Sequence, residues 1–234
     1  MSLVGRQLHI LRNFGPYILK STISDELHEI LLDTAFKIRK DKKLKKDNDY
    51  RKRLAGNLTE EYSYVNAFTT KQEQIVEEEL TWLASAYTKQ SLNVINKDFS
   101  LEPDKIIMQK PAWVNFMKEG EWNPPHNHTG DLSCVMYLKV PKEIDEENEK
   151  KEWSKKSNTP SAGKIEFQYG EAIGYCSTGL MITPKEKDIY FFPAKLKHQV
   201  YPFKSKIERI SVSVNFADKR NALRNLQANG ERKL

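Results

Sequence analysis

Two histidines spaced two apart, in Pro124-Pro125-His126-Asn127-His128-Thr129-Gly130-Asp131, stand immediately ahead of the apolar run Leu132 to Val140. Alternate residues of an extended chain point to one side, so His126 and His128 can reach a single ion. Imidazole nitrogen suits iron, zinc or copper. A bare HxH pair more often packs or hydrogen-bonds than ligates, but a third histidine alters the balance. His198 lies 70 residues beyond His128, after the strand-like run Ile189 to Phe192 and a turn at Pro193. A barrel that folds back on itself brings such strand ends together. Asp131 is an alternative, carboxylate ligand, provided the chain turns at Thr129-Gly130. His9 and His28 sit in the N-terminal region and read as surface residues.

Eleven residues past His198 comes Arg209, near the start of the run Glu208 to Phe216. Ile210, Val212, Val214 and Phe216 alternate strictly with Arg209, Ser211, Ser213 and Asn215, the pattern of a strand with two different faces. The polar face either meets water or lines the inside of a barrel. In the second case the planar guanidinium of Arg209 and the hydroxyl of Ser211 are suited to gripping a ligand carboxylate.

This order of features (HxH, a strand with Tyr137-Leu138, Phe192-Pro193 ahead of His198, then Arg209-x-Ser211) resembles the 2-oxoglutarate and iron(II)-dependent dioxygenases, in particular the group carrying HxH in place of the commoner HxD. The resemblance runs from Trp113 to Phe216, a little under half the chain. It implies Fe(II), 2-oxoglutarate as cosubstrate and O2, with decarboxylation to succinate coupled to oxidation, usually hydroxylation, of a substrate that the sequence does not name. It further implies that the far carboxylate of 2-oxoglutarate pairs with Arg209 and Ser211, and that Tyr137 and Asn115 can hydrogen-bond the cosubstrate. Most such enzymes ligate iron through two histidines and a carboxylate. Here His128 stands where the carboxylate is expected, so the site is either His126, His128 and His198, or one of the pair gives way to Asp131. Alternation along a strand favours the three histidines.

Gly120, five residues and His126-Asn-His128 also resemble the opening of the cupin motif, which implies a zinc or manganese enzyme such as an isomerase. The glutamate that motif places four or five residues later is replaced by Leu132 and Ser133. A jelly-roll binding module with structural histidines is the third reading.

The elements that must position these residues divide in two. Over residues 1–100 helices dominate. Ser24 caps a helix through Asp25-Glu26 with Leu27, Ile30, Leu31 and Ile38 on one face, and Thr70-Lys-Gln-Glu73 forms a capping box for a second with Val76, Leu80, Leu83 and Tyr87. Over 101–217 short strand-like runs broken by Pro and Gly, with no helix between them, point to a sandwich or barrel. The expected fold is therefore mainly β with N-terminal helices (α+β), built on a double-stranded β-helix, or jelly-roll, cupin-like core. The polar stretch 142–163 reads as a mobile insertion, loop or lid, and 218–234 as a charged tail.

A net charge of +6 suggests nucleic acid until it is located. Residues 37–53 hold ten bases and three acids, a local +7 that leaves about −1 for the rest. That segment reads as a solvated helix end and loop, which makes a nucleic-acid partner unlikely without excluding one. No apolar run approaches the roughly 18–20 residues of a membrane span. The N-terminus, interrupted by Arg6, His9, Arg12 and Asn13, lacks a secretory h-region. Cys134 and Cys176 read as reduced thiols, and a cytoplasmic location is expected. A homodimer stays open.

Overall fold

Alternation governs the architecture. The structure is a computed structural model that describes residues 9–12, 15–95, 106–151, 156–173 and 177–218. Strands β1 (His9–Arg12), β2 (Tyr17–Thr22), β3 (Glu60–Ser63), β4 (Ile106–Met117), β6 (Leu132–Lys139), β9 (Asp188–Pro193) and β11 (Arg209–Asp218) form a seven-stranded sheet in the order β1-β2-β9-β6-β11-β4-β3. Strands β5 (Asn123–His126), β7 (Ile165–Gln168), β8 (Gly179–Ile182) and β10 (Lys197–Val200) form a second sheet in the order β5-β10-β7-β8. Every pairing is antiparallel. This is the double-stranded β-helix fold with helices on one face.

Each central strand sends alternate side chains to two cores. Leu132, Cys134, Met136 and Leu138 of β6 and Ile210, Val212, Val214 and Phe216 of β11 face the helices. Val135 and Tyr137 of β6, with Tyr190 and Phe192 of β9, face Ile165, Phe167 and Val200 of the small sheet. The helical layer consists of α1 (Asp25–Lys40) and α3 (Thr70–Ile95), which bury Leu27, Leu31 and Ile38, and Val76, Leu80 and Leu83. Ser24 caps α1 as its sequence predicts, its Oγ accepting from the Leu27 N–H at 3.1 Å.

Several expectations need correction. Helices make up most of the described part of region 1–100, which also supplies β1, β2 and β3 at the two ends of the large sheet. The capping box of α3 lies one residue earlier, where Thr69 N–H donates to Gln72 Oε1 (3.0 Å) and Gln72 N–H to Thr69 Oγ1 (3.3 Å). His28 is buried, with Nε2 2.7 Å from the Leu138 carbonyl; the side chain of His9 lies outside the described residues, as do Cys176 and the tail beyond 218. Cys134 is a buried free thiol whose pKa is raised by burial.

The stretch 142–163 contains a docked helix, α4 (Glu143–Lys150), rather than only loop. Ile144 enters the inter-sheet core, and Asn148 binds both backbone groups of Ala162. Glu147 accepts from the backbone N–H groups of Lys204 and Ser205 and from the Ser205 hydroxyl, at 2.7–3.0 Å. The basic segment is organised as well: the end of α1, helix α2 (Lys42–Asp47) and the turn Arg51–Arg53 carry it. Arg39 pairs with Glu60 and Glu208, Lys45 with Glu60, and Arg51 with Asp49.

Removing a buried carboxylate that satisfies several backbone donors costs roughly 2–4 kcal/mol. Glu147→Ala should therefore lower unfolding stability by that amount in denaturant titration, whereas the exposed Glu149→Ala should stay within about 0.5 kcal/mol. Equal effects would show that α4 is not anchored through Glu147.

Candidate active site

Strands β5 and β10 pair so that His126 and His198 are direct neighbours across the ladder. Two prolines in β5 hide it from the eye, but β5 is an edge strand, where a missing N–H is tolerated. His128 follows just past the strand end, tied by its N–H to the Ala194 carbonyl at 2.8 Å. The three imidazoles converge: one ligand nitrogen from each lies within 4.8 Å of the others, and Nε2 of His128 is 3.1 Å from Nε2 of His198.

Carbonyl oxygens fix the tautomers. Nδ1 of His126 is 2.7 Å from the Pro124 carbonyl and Nδ1 of His198 is 2.9 Å from that of Leu196. A carbonyl only accepts, so both Nδ1 atoms carry the proton and both Nε2 lone pairs face the cluster. Burial, reinforced by the neighbouring rings, lowers the pKa of His128 and of His198 to about 3, and burial alone lowers that of His126. Neutral imidazoles are the form a metal needs. Phe192 and Trp113 flank the cluster, with ring centroids 4.8 Å from His198 and 5.5 Å from His128.

Asp131 does not join them. The chain does turn at Thr129-Gly130, with Gly130 at φ +88°, where a Cβ would lie 2.6 Å from Gln109 Oε1 and 2.7 Å from the Phe216 carbonyl. That turn carries Asp131 toward β11, where its Oδ2 accepts from the Asp218 N–H at 2.8 Å. The carboxylate alternative is thereby corrected: a neighbouring strand holds the acid.

The cluster opens into a cavity of about 200 Å³ between the sheets. One register line on its floor crosses four strands: Glu61 of β3, Asn115 of β4, Ser211 of β11 and Tyr137 of β6. Arg209 sits beside this row, 2% exposed, with Nη1 donating to the Gly163 carbonyl at 2.9 Å and its guanidinium 5.4 Å from the centre of the Tyr137 ring. Gly163 itself is at φ +65°, a conformation that suits glycine. Among the described residues Arg209 has no acidic partner, and burial pulls its pKa below the usual value while leaving it a cation.

Among the described residues five buried polar atoms find no partner: Arg209 Nε, Tyr137 OH, Asn115 Oδ1, Glu61 Oε2 and Asn123 Oδ1. All five belong to residues lining this one cavity. Buried polar groups are almost always paired, so their concentration here marks a surface shaped for a ligand. The arrangement brings together all three predicted histidines, Arg209, Ser211, Tyr137 and Asn115. Sequence reasoning missed Glu61 and Asn123, because the stretch before β3 reads as irregular and Asn123 precedes two prolines.

Fold and site together define a jelly roll with a three-histidine candidate metal centre. Residues 111–215 match the family described as "Putative 2OG-Fe(II) oxygenase". Solved structures share the fold: AviO1 from Streptomyces viridochromogenes (11% identity, TM-score 0.52, covering 86% of this chain and 89% of that one) and EvdMO1 (12%, 0.53, 91% and 55%). The non-heme alpha ketoglutarate dependent carbocyclase SnoK from nogalamycin biosynthesis does so too (10%, 0.51, 86% and 79%). No curated protein matches the sequence. The matched stretch, a little under half of the chain, is similar to the 2-oxoglutarate/Fe(II) oxygenases, oxidoreductases whose cofactors are Fe(II), 2-oxoglutarate and O2, and the three-histidine donor set fits such a metal.

Histidines held neutral when folded but free to protonate near pH 6.5 when unfolded make the unfolded state the better proton binder between those values. Stability of the metal-free protein should thus fall as pH drops from about 6.5 toward 3, each such histidine contributing up to about 1.4 kcal/mol per pH unit. Denaturant midpoints across that range should fall less steeply for His198→Leu; parallel curves would contradict the assignment of His198 as a buried neutral imidazole.

Proposed function

We propose that this chain is a 2-oxoglutarate-dependent hydroxylase in which His126, His128 and His198 hold Fe(II) and Arg209 with Ser211 holds the far carboxylate of 2-oxoglutarate. The observation that carries this reading is Arg209, a buried cation with no acid of its own among the described residues, lining one cavity with the three converging imidazoles. A buried unpaired cation is costly unless something anionic meets it, and a dicarboxylic cosubstrate supplies that anion.

When bound, iron and 2-oxoglutarate supply the oxidising chemistry, dioxygen being divided between succinate and the product. The chain's part is to bind and orient. The carbonyls of Pro124 and Leu196 keep Nδ1 protonated and so hold the His126 and His198 rings in ligating orientation. The Gly163 carbonyl and the Tyr137 ring fix the Arg209 fork. Ser211 and the Tyr137 hydroxyl, its pKa pushed up to about 12 by burial, offer neutral O–H donors to the same carboxylate. The Nδ2 group of Asn115, one strand from Ser211, can donate to the cosubstrate as well. Phe192, Phe167 and Trp113 keep water from the metal side.

The catalytic unit in this reading is residues 101–217, braced by the N-terminal helices. A cytoplasmic location is also proposed, supported by the reduced thiol of Cys134. No helix among the described residues is long and apolar enough to cross a membrane.

Iron-loaded protein should convert 2-oxoglutarate to succinate, slowly without substrate. Arg209→Met should weaken 2-oxoglutarate binding by about 3 kcal/mol, roughly a hundredfold, with metal affinity retained. Calorimetry that finds the cosubstrate bound equally by both proteins would remove Arg209 from the site.

A further inference from the structure

Glu60 and Glu61 are neighbours in β3 with opposite surroundings. Burial opposes ionisation of Glu60, but hydrogen bonds from Arg39, Lys118, Tyr62 and Lys45 outweigh it and hold the carboxyl well below the usual range. Glu61 points to the other face of the sheet, into the cavity, and is 1% exposed. None of those cations reaches it. Burial, with Glu121 and Asp49 adding repulsion against a weaker pull from Arg51, raises its pKa to about 7. Arg51 is occupied by Asp49, and Arg53, the cation on the cavity rim, is exposed and lies 5.9 Å from the Tyr50 ring centre.

Three unmet atoms at this end of the cavity are hydrogen-bond acceptors: Glu61 Oε2, Asn115 Oδ1 and Asn123 Oδ1. They are close-set. Around Gly56 the space a Cβ would take is bounded by Glu61 Oε1 at 2.5 Å and Asn123 Oδ1 at 2.7 Å. The opposite end, Arg209 and Tyr137, consists of donors. Along the register row Glu61 is two strands from Ser211, about 10 Å at the usual strand spacing, so it lies beyond the carboxylate seat. Asn123 is three residues from His126 on the same strand, which puts this end alongside the metal cluster.

The two asparagines also carry Nδ2 donors, but the unmet buried atoms here are all acceptors and one belongs to a carboxyl group, so the seat disfavours carboxylates and phosphates. A primary ammonium, with three donors and no acceptor, matches three acceptors and neutralises one buried carboxylate. We propose that Glu61, Asn123 and the Oδ1 of Asn115 form the substrate seat of this enzyme and that it receives a primary ammonium group, so that the oxidised substrate is an amine-bearing compound. This rests on the assignment of Arg209 and the three histidines above.

The test uses the full chain with zinc(II) in place of iron and saturating 2-oxoglutarate, probed by NMR titration with n-butylammonium, 1-butanol and butyrate. Expected is n-butylammonium binding about tenfold or more tighter than 1-butanol, the size of one charge-assisted hydrogen bond, with butyrate excluded. Glu61→Gln should bring the amine and alcohol within about threefold. Gly56→Ala, whose methyl group displaces Glu61 and Asn123, should weaken amine binding similarly and serves if Glu61→Gln misfolds. Both variants should keep wild-type 2-oxoglutarate affinity. Amine binding no better than alcohol, or a preference that survives both variants, overturns the proposal; it would leave Glu61 as a protonated acid satisfied inside the wall. Failure of the wild type to bind 2-oxoglutarate would instead overturn the cosubstrate assignment beneath it.

Discussion

Three imidazoles and a guanidinium share a buried cavity in which, among the described residues, the cation has no counter-ion and the Nε2 atoms of His128 and His198 meet only each other. Such an arrangement is intrinsically unfavourable, since desolvation penalises every charged state it might adopt. It persists because the surrounding sheets leave these side chains no other direction. Arg209 and Ser211 alternate with Ile210 and Val212, and those apolar neighbours are locked against α1 and α3. Flipping Arg209 to solvent would require the whole of β11 to slip by one residue and pull four core side chains out of the helical interface. The helices, remote from the chemistry, thus hold the polar face of β11 toward the cavity.

Charge is sorted by the same alternation. The basic residues near the end of α1 and in α2 read in the sequence as a solvated helix end and loop, yet Arg39, which also pairs with Glu208 just ahead of β11, converges with Lys45 on Glu60 of β3. One residue later the sheet's other face has a carboxylate with no cation. The cavity consequently has two ends of opposite hydrogen-bonding character, donors around Arg209 and acceptors around Glu61, with the metal cluster on its side wall. A ligand pair with complementary ends is oriented by that polarity before any specific contact is considered.

Much of this was legible in the sequence, and unevenly so. The HxH pair, His198, and the strict alternation from Arg209 to Phe216 are short-range patterns that survive in one dimension, and the strands between 132 and 218 lie where apolar runs predict them, with ends shifted by up to three residues. What escaped depends on contacts far apart in the chain. β1 and β2 are too short to announce themselves, and gain their strand character by pairing, β2 with β9 and β1 with β2. α4 is acidic and looks solvated until Glu147 meets the amides of 204 and 205, 57 and 58 residues away. His28 reads as surface because nothing nearby reveals the Leu138 carbonyl waiting 110 residues on. Glu61 and Asn123 carry no local signal at all, since their meaning lies in which side of a sheet they face.

The claim on which the account turns is that three imidazoles and no protein carboxylate ligate the metal. X-ray absorption at the iron edge of the loaded protein measures it directly, because imidazole rings leave a multiple-scattering signature. The account predicts three histidine nitrogens at about 2.1 Å, with the remaining oxygen shell changing when 2-oxoglutarate is added and Asp131→Ala leaving the spectrum as it was. Two imidazoles with a carboxylate that disappears in Asp131→Ala would contradict it.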